Sequence, residues 1–445
     1  MRLGRIPLCF IAALAALSLN VTLPASATAA APAAKPRAAR PAPPVDTTAL
    51  RQAIRDAAGG TEKSFYAARG YQPLWAANGR IGRSAETLLT YLETAELDGL
   101  RPSSYGVEKL RAAVVTARSG DPHAVAEAEV RLSAAFARYA RDQRGKARVK
   151  MDYADRRLKP RRPKPEAVLR AAAFPKSFDA YITDMAWMSE HYVRLRTLTG
   201  RARKTGASAD ALERLRLNLE RARLLPGPFA QHIVVDASSG RLWYYEGGVQ
   251  VGTMRVVVGA KETQTPMLAG TLQWAILNPY WNVPDYLAQR SIAKKVLAGR
   301  SLAMMRMEAL SDWSANPVRL DPRTIDWNTV AAGTREVRIR QLPGPQNSMG
   351  KVKFLFPNDE GIYLHDTPDR DLLKKEDRHF SNGCIRLENA AALGRWLMQK
   401  PLKYPKQPEQ AVALPVGVPV YLTYITAVPT ERGLGFRADV YGRDG

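Results

Sequence analysis

The chain has 445 residues, of which 46% are hydrophobic and 8% aromatic, and a formal net charge of +24. That length predicts two or three folded units, and the composition excludes a disordered or fibrous chain. A charge this basic fits a nucleic-acid binder, until the amino terminus is read. Arg2 and Arg5 precede an apolar run over 8–23, closed by the small-x-small Ala25-Ser26-Ala27. This predicts a secretory signal peptide over 1–27, with an apolar run too short for a membrane span. Export separates the protein from nucleic acid. Cleavage removes Arg2 and Arg5, and the remaining +22 suits an anionic wall polymer or a membrane surface. No later stretch approaches the roughly 18 apolar residues of a span, so no transmembrane segment is expected in the mature chain.

Residues 28–46, mostly Ala and Pro, predict a semi-extended tether. From 47 to 225 the period is helical. Apolar residues recur at three- and four-residue spacing over 84–96, 107–118, 124–141, 178–192 and 207–225. Gly99, Pro102 and Asp121-Pro122 punctuate them. Residues 145–165 form a basic, Pro-containing connection. The wider stretch 141–170 holds twelve Lys/Arg against four acids and reads as a solvated basic loop. Near Pro226 the period switches to alternation. Strands are expected at 232–236, 241–246 and 249–258, joined by the turns Ala237-Ser238-Ser239-Gly240 and Gly247-Gly248. Further strands are expected at 271–278, 336–342, 352–356, 361–365 and 418–425. Residues 285–330 read as a helical, irregular insertion over the sheet. A helix is expected at 386–399, and 433–441 is expected to close a hairpin with 420–428.

Cysteine usage sharpens the reading. Cys9 lies inside the signal and leaves with it, so the mature chain keeps only Cys384. A lone thiol in an exported protein marks a candidate nucleophile. It stands in Phe380-Ser381-Asn382-Gly383-Cys384-Ile385-Arg386-Leu387, downstream of Ile362-Tyr363-Leu364-His365-Asp366-Thr367-Pro368. A thiol at the start of the expected helix would have its pKa lowered by the helix dipole. The N–H groups of Gly383 and Cys384 would then face an oxyanion. His379, five residues before Cys384, is a rival base. Asp377, His379 and Cys384 have ligand chemistry, but one Cys and one nearby His fall short of a zinc set, so no metal is expected.

The His-Asp-Thr-Pro and Ser-Asn-Gly-Cys-Ile-Arg segments, with His365 nineteen residues before Cys384, resemble the signature of L,D-transpeptidases with a YkuD-type catalytic domain. Asn278-Pro279-Tyr280-Trp281-Asn282-Val283-Pro284, Gly344-Pro345-Gln346-Asn347-Ser348-Met349-Gly350 and the ending Asp439-Val440-Tyr441-Gly442-Arg443-Asp444 are similar to segments of the large periplasmic subgroup. Tyr71-Gln72-Pro73-Leu74-Trp75 and Leu97-Asp98-Gly99-Leu100 resemble that subgroup's helical scaffold. There are departures. Asn382 stands where many relatives have His, and no peptidoglycan-binding module is visible in the helical part.

The resemblance implies Cys384 as nucleophile and His365 as base, with Gly383 beside them. Asp366 or a nearby backbone carbonyl would orient the imidazole. Arg386, Tyr363, Trp281, Asn382 and Ser381 are candidate substrate-binding residues; salt bridging for Arg386 and core packing for Tyr363 and Trp281 are the plainer alternatives. It implies attack on an L-centre carbonyl of a peptidoglycan stem peptide and capture of the thioester by another stem's amine. The link would be 3–3, with 1–3 open. No cofactor is needed, and sensitivity to carbapenems is implied. Rival readings are an L,D-carboxypeptidase, an enzyme anchoring proteins to the wall, and a non-catalytic wall-binding protein.

The expected fold class is therefore α+β: a helical N-terminal scaffold domain over 47–225, then a mostly β, YkuD-like catalytic domain over 226–428. The catalytic part carries a lid insertion at about 285–350, and 429–445 form a C-terminal hairpin strand and tail. The expected compartment is the periplasm, at the cell wall.

Overall fold

A computed structural model describes residues 47–145, 147–431 and 433–445. The signal peptide and tether expected over 1–46 lie outside the described residues. No described helix is long and apolar enough to cross a membrane.

The first half is helical, as its period predicts. Helices span Thr48–Ala57, Gly60–Ala68, Ser84–Glu93, Val107–Thr116, Pro122–Gln143, Pro165–Ala173, Phe178–Thr183, Glu190–Lys204 and Ala209–Arg223. Pro122–Gln143 begins where its sequence says it should. The Asp121 carboxylate caps the Ala124 N–H at 2.8 Å, and Pro122 occupies a first-turn position that needs no donor. The helix expected at 178–192 is instead two helices. Met185, at φ 49°, turns the chain between them, and Ser189 caps the second.

Two buried carboxylates tie these helices together, and both meet segments that carried the family resemblance. Asp98 accepts from Tyr139 Oη at 2.6 Å, Tyr192 Oη at 2.7 Å, Arg196 Nε at 3.0 Å and Gln143 Nε2 at 3.2 Å. Glu129 accepts from the N–H groups of Leu74, Trp75 and Ala76 and from Tyr66 Oη. A buried charge survives only when so satisfied.

The second half is a sheet whose pairing returns on itself. The order is Val352–Leu355, Leu364–His365, Ile385–Leu387, Val249–Gly259, Arg241–Glu246, His232–Asp236, Gln410–Thr423 and Leu268–Leu277, and the last pairs again with the first. Ile233, Val235, Val256, Phe354, Leu364, Ile385 and Leu387 fill its interior. The basic connection contributes to it as well. Asp152–Tyr153 adds a short parallel strand along Leu268–Leu277, an edge that side-chain periodicity did not announce. The described residues form one compact unit.

Two expectations need correction. The insertion is not simply helical and irregular. Trp281–Val283, Met307–Leu310, Arg319–Leu320 and Arg338–Gln341 form a four-stranded sheet of their own. Its separate core holds Val283, Ile292, Leu302, Ala309, Trp327 and Ile339. The helix expected at 386–399 is shorter. Ile385–Leu387 is a strand, because its apolar–charged–apolar order fits the pleat, and the helix Ala390–Met398 starts only after Asn389, which caps it. The C-terminal hairpin forms between Ala427–Thr430 and Gly433–Phe436.

Candidate active site

The His365 and Cys384 segments are neighbours in the sheet. Leu364–His365 and Ile385–Leu387 run parallel, with Leu364 opposite Ile385 and His365 opposite Arg386. Leu364, Ile385 and Leu387 point into the core. The alternation of a strand therefore sends Tyr363, His365, Cys384 and Arg386 to the opposite face. On that face His365 and Cys384 are diagonal neighbours, and Tyr363 lies beside both. The Tyr363 and His365 ring centroids are 5.7 Å apart.

Hydrogen bonding fixes the imidazole tautomer. His365 Nδ1 lies 2.6 Å from the backbone carbonyl of Asp366. A carbonyl only accepts, so Nδ1 carries the proton and Nε2 is left as the basic lone pair. Of the two orienting groups considered, the carbonyl does this work. The Asp366 carboxylate is engaged elsewhere, accepting from the Lys351 N–H at 3.0 Å and Arg370 Nη2 at 2.6 Å. Arg370 also donates to the Glu388 carbonyl at 2.7 Å, bracing the end of the cysteine strand.

Electrostatics differ from the thiolate expected at a helix start. The helix begins six residues too late to reach Cys384. Burial pushes the Cys384 thiol up to about 11, opposed by hydrogen bonding from Tyr363 and by the charge of Arg386. Burial pushes His365 down to about 3; Arg386 adds to that shift, and the bond to Asp366 opposes it. Burial thus favours the neutral thiol and the neutral imidazole. The thiol points toward the Gly361 carbonyl at 3.6 Å.

The turn before Cys384 is tightly specified. Gly383 sits at φ 105°, and a Cβ there would come 3.0 Å from Ile362 Cδ1. Its N–H donates to Ser381 Oγ at 3.2 Å, so it does not face an oxyanion as the sequence suggested. Ser381 is buried, and its hydroxyl donates to the Cys384 carbonyl at 2.6 Å. It thus holds the turn from both sides.

The other candidates separate. Arg386 reaches Asp369 at 3.2 Å while remaining beside His365 and Cys384. Trp281 and Asn382 line one cavity of about 420 Å³ together with Lys295, Met304 and Gln346 of the insertion. His379, the rival base, pairs with Asp377 at 2.5 Å and lies edge-on to Tyr441 at 5.3 Å. No hydrogen bond among the described residues links it to Cys384. Among the described residues no group of three or more His, Cys, Asp or Glu is placed to hold a metal.

Tyr286 was missed by sequence reasoning. Burial raises its hydroxyl pKa, and interaction with Cys384 adds to the rise. The only signal was its place just after the Trp281–Pro284 segment.

A family model described as an L,D-transpeptidase catalytic domain matches residues 230–421, and one described as a scaffold domain matches 61–198. A Haemophilus influenzae protein named "Putative L,D-transpeptidase" is 27% identical over 391 residues, 85% of this chain and 77% of that protein. Among solved structures, an L,D-transpeptidase from Mycobacterium smegmatis shares 14% identity at a TM-score of 0.22, covering 43% of this chain and 58% of that one. A structure described as the Ldtfm–avibactam carbamoyl enzyme shares 13% at 0.22, covering 45% and 50%. The chain thus spans little more than half of those two structures, and such scores carry no argument here.

Proposed function

Because this chain belongs to the L,D-transpeptidase family, by its catalytic and scaffold domains together, we propose that it is an exported enzyme that cross-links peptidoglycan stem peptides through a Cys384 thioester. The observation that carries this reading is the diagonal of Cys384 and His365 on one sheet face, with His365 Nε2 free to take a proton.

The steps follow from that placement. Cys384 gives its proton to His365 Nε2 as Sγ attacks the carbonyl of an L-centre in the donor stem. A C–S bond forms and the carbonyl pair moves to oxygen. When that oxyanion collapses, the C–N bond breaks and His365 returns the proton to the leaving amine. The side-chain amine of a second stem then attacks the thioester, loses its proton through His365, and expels the Cys384 sulfur. Burial favours the neutral thiol and the neutral imidazole, so the proton moves as the bond to carbon forms. Trp281, Tyr363, Tyr286 and Asn382 line the approach, and Arg386 is placed to meet a stem carboxylate. A 3–3 link is the favoured product and a 1–3 link the variant. The basic surface would hold the enzyme near the anionic wall.

The test is incubation of the mature protein and its Cys384→Ala variant with purified muropeptides, followed by mass spectrometry. Cross-linked dimers from the parent alone are expected, and fragmentation identifies the donor residue. Shortened monomers alone would make the enzyme a carboxypeptidase. No thiol-dependent product from tri-, tetra- or pentapeptide stems would leave a wall-binding role in its place.

A further inference from the structure

The Cys384 turn is held from behind by the chain's far end. Thr265, fully buried, donates from Oγ1 to the Gly383 carbonyl at 2.8 Å and accepts from the Gly259 N–H at 2.9 Å. The Tyr441 hydroxyl donates to the Gly259 carbonyl at 2.7 Å and accepts from the Thr265 N–H at 3.3 Å. Arg443 bonds Gln264 Oε1 at 2.7 Å and the Thr265 carbonyl at 3.1 Å. Asp444 in turn accepts from Arg214 and Arg221 of the helix Ala209–Arg223, each at 2.6 Å. A continuous series of hydrogen bonds thus runs from the scaffold, through the C-terminal tail, to the peptide that precedes the nucleophile.

The geometry of that peptide decides what the series does. In a trans peptide the carbonyl and the N–H point in opposite directions from one plane, and no described peptide bond is cis. Thr265 draws the Gly383 carbonyl inward. The Cys384 N–H at the other end of the same plane must point outward, away from Thr265. Among the described residues it donates to no protein acceptor, whereas the Gly383 N–H is occupied by Ser381.

We propose that Thr265, braced by Tyr441 and the C-terminal tail, is a positioning residue that aims the Cys384 N–H at the oxyanion formed on the acyl donor. This rests on the reading of Cys384 as an acyl-transfer nucleophile. Thr265 touches no substrate. It acts by fixing the plane of one peptide, so that the donor requires no reorganisation when charge develops.

Two reactions of the same thiol separate this role from a merely structural one. Acylation by meropenem opens its ring, forms a C–S bond and passes through an oxyanion. Alkylation by iodoacetamide forms a C–S bond as iodide leaves, with no oxyanion. Both adducts on Cys384 are followed by mass spectrometry in the parent, Thr265→Val, Thr265→Ser and Tyr441→Phe, each first shown to be folded by its thermal transition. Thr265→Val is expected to acylate at least tenfold more slowly, short of the roughly 10²–10³-fold cost of losing an oxyanion donor outright. Its alkylation should stay within about twofold of the parent, an effect below about 0.4 kcal/mol. Thr265→Ser, which keeps the hydroxyl, should recover the parent rate. Tyr441→Phe should show the same split at smaller size, which keeps the proposal testable if Thr265→Val fails to fold. Equal losses in both reactions, or parent-like acylation in Thr265→Val or in Tyr441→Phe, would overturn it. A parent that alkylates but forms neither a meropenem adduct nor cross-links would remove the acyl-transfer reading itself, and this proposal with it.

Discussion

In the helical half, the carboxylates of Asp98 and Glu129 are out of reach of water, and each is surrounded by donors from several segments. In the sheet half, His365 is as deeply buried, yet its ring has a single hydrogen bond, and the Cys384 thiol has a long contact to Gly361 and bonding from Tyr363. Burial is common to both places, and the number of partners is not. Where partners compensate the lost water, the group becomes a fixed joint between helices. Where they do not, a lone pair is left free to react.

Substitutions sharpen the contrast. The largest effect is expected from His365→Ala, which removes the base and should lower cross-linking by roughly 10²–10⁴-fold. Muropeptide turnover measures it, and the unfolding midpoint should move far less. Asp98→Ala inverts that pattern. It strands Arg196 beside two tyrosines and should cost about 3–5 kcal/mol in denaturant unfolding, with turnover per folded molecule unchanged. A loss of turnover at full stability would show that the joint also serves the site.

The pH dependence of alkylation tests the neutral resting pair. With Cys384 pushed up to about 11 and His365 down to about 3, the iodoacetamide rate should climb about tenfold per pH unit through the alkaline range. A plateau beginning near pH 6 would reveal a thiolate–imidazolium pair instead.

Glu129→Gln should cost about 1–3 kcal/mol, because the amide presents donors to backbone N–H groups. Burial raises the Glu129 pKa in the folded state. Its linked stability is therefore full below the ordinary carboxylate value and is lost as pH rises through the folded one. Stability curves against pH should show that decline in the parent and lose it in the variant. Least affected should be Asp366→Asn. The carbonyl that orients His365 remains, so turnover should fall by less than about tenfold, well under the cost of losing the base.

Much of this architecture is legible in the chain. The meander at His232–Asp236, Arg241–Glu246 and Val249–Gly259 forms where alternation and two turns place it. His365 and Cys384 stand out through their surrounding segments. Other features are hidden for physical reasons. Ile385-Arg386-Leu387 is too short for its alternation to compete with the helix-favouring alanines that follow. Met307–Leu310 is buried throughout, so no alternation marks it as a strand. The links of Thr265 to Gly383 and Tyr441 join residues more than a hundred positions apart, and no local period encodes them.

The short strand Asp152–Tyr153 has a mechanical consequence. The chain leaves the helices at Gln143, donates from the Asp152 and Ala154 N–H groups to the Met267 and Ala269 carbonyls at 3.0 and 2.9 Å, and fastens Asp155 to Thr271 at 2.6 Å. It then returns to the helices at Pro165 before entering the sheet for good. The two halves are stitched together, not hinged. Trypsin has ready targets at the exposed Arg157 and Arg161, but a nick there leaves both fragments sewn into the same sheet. They should part only when that sheet itself melts.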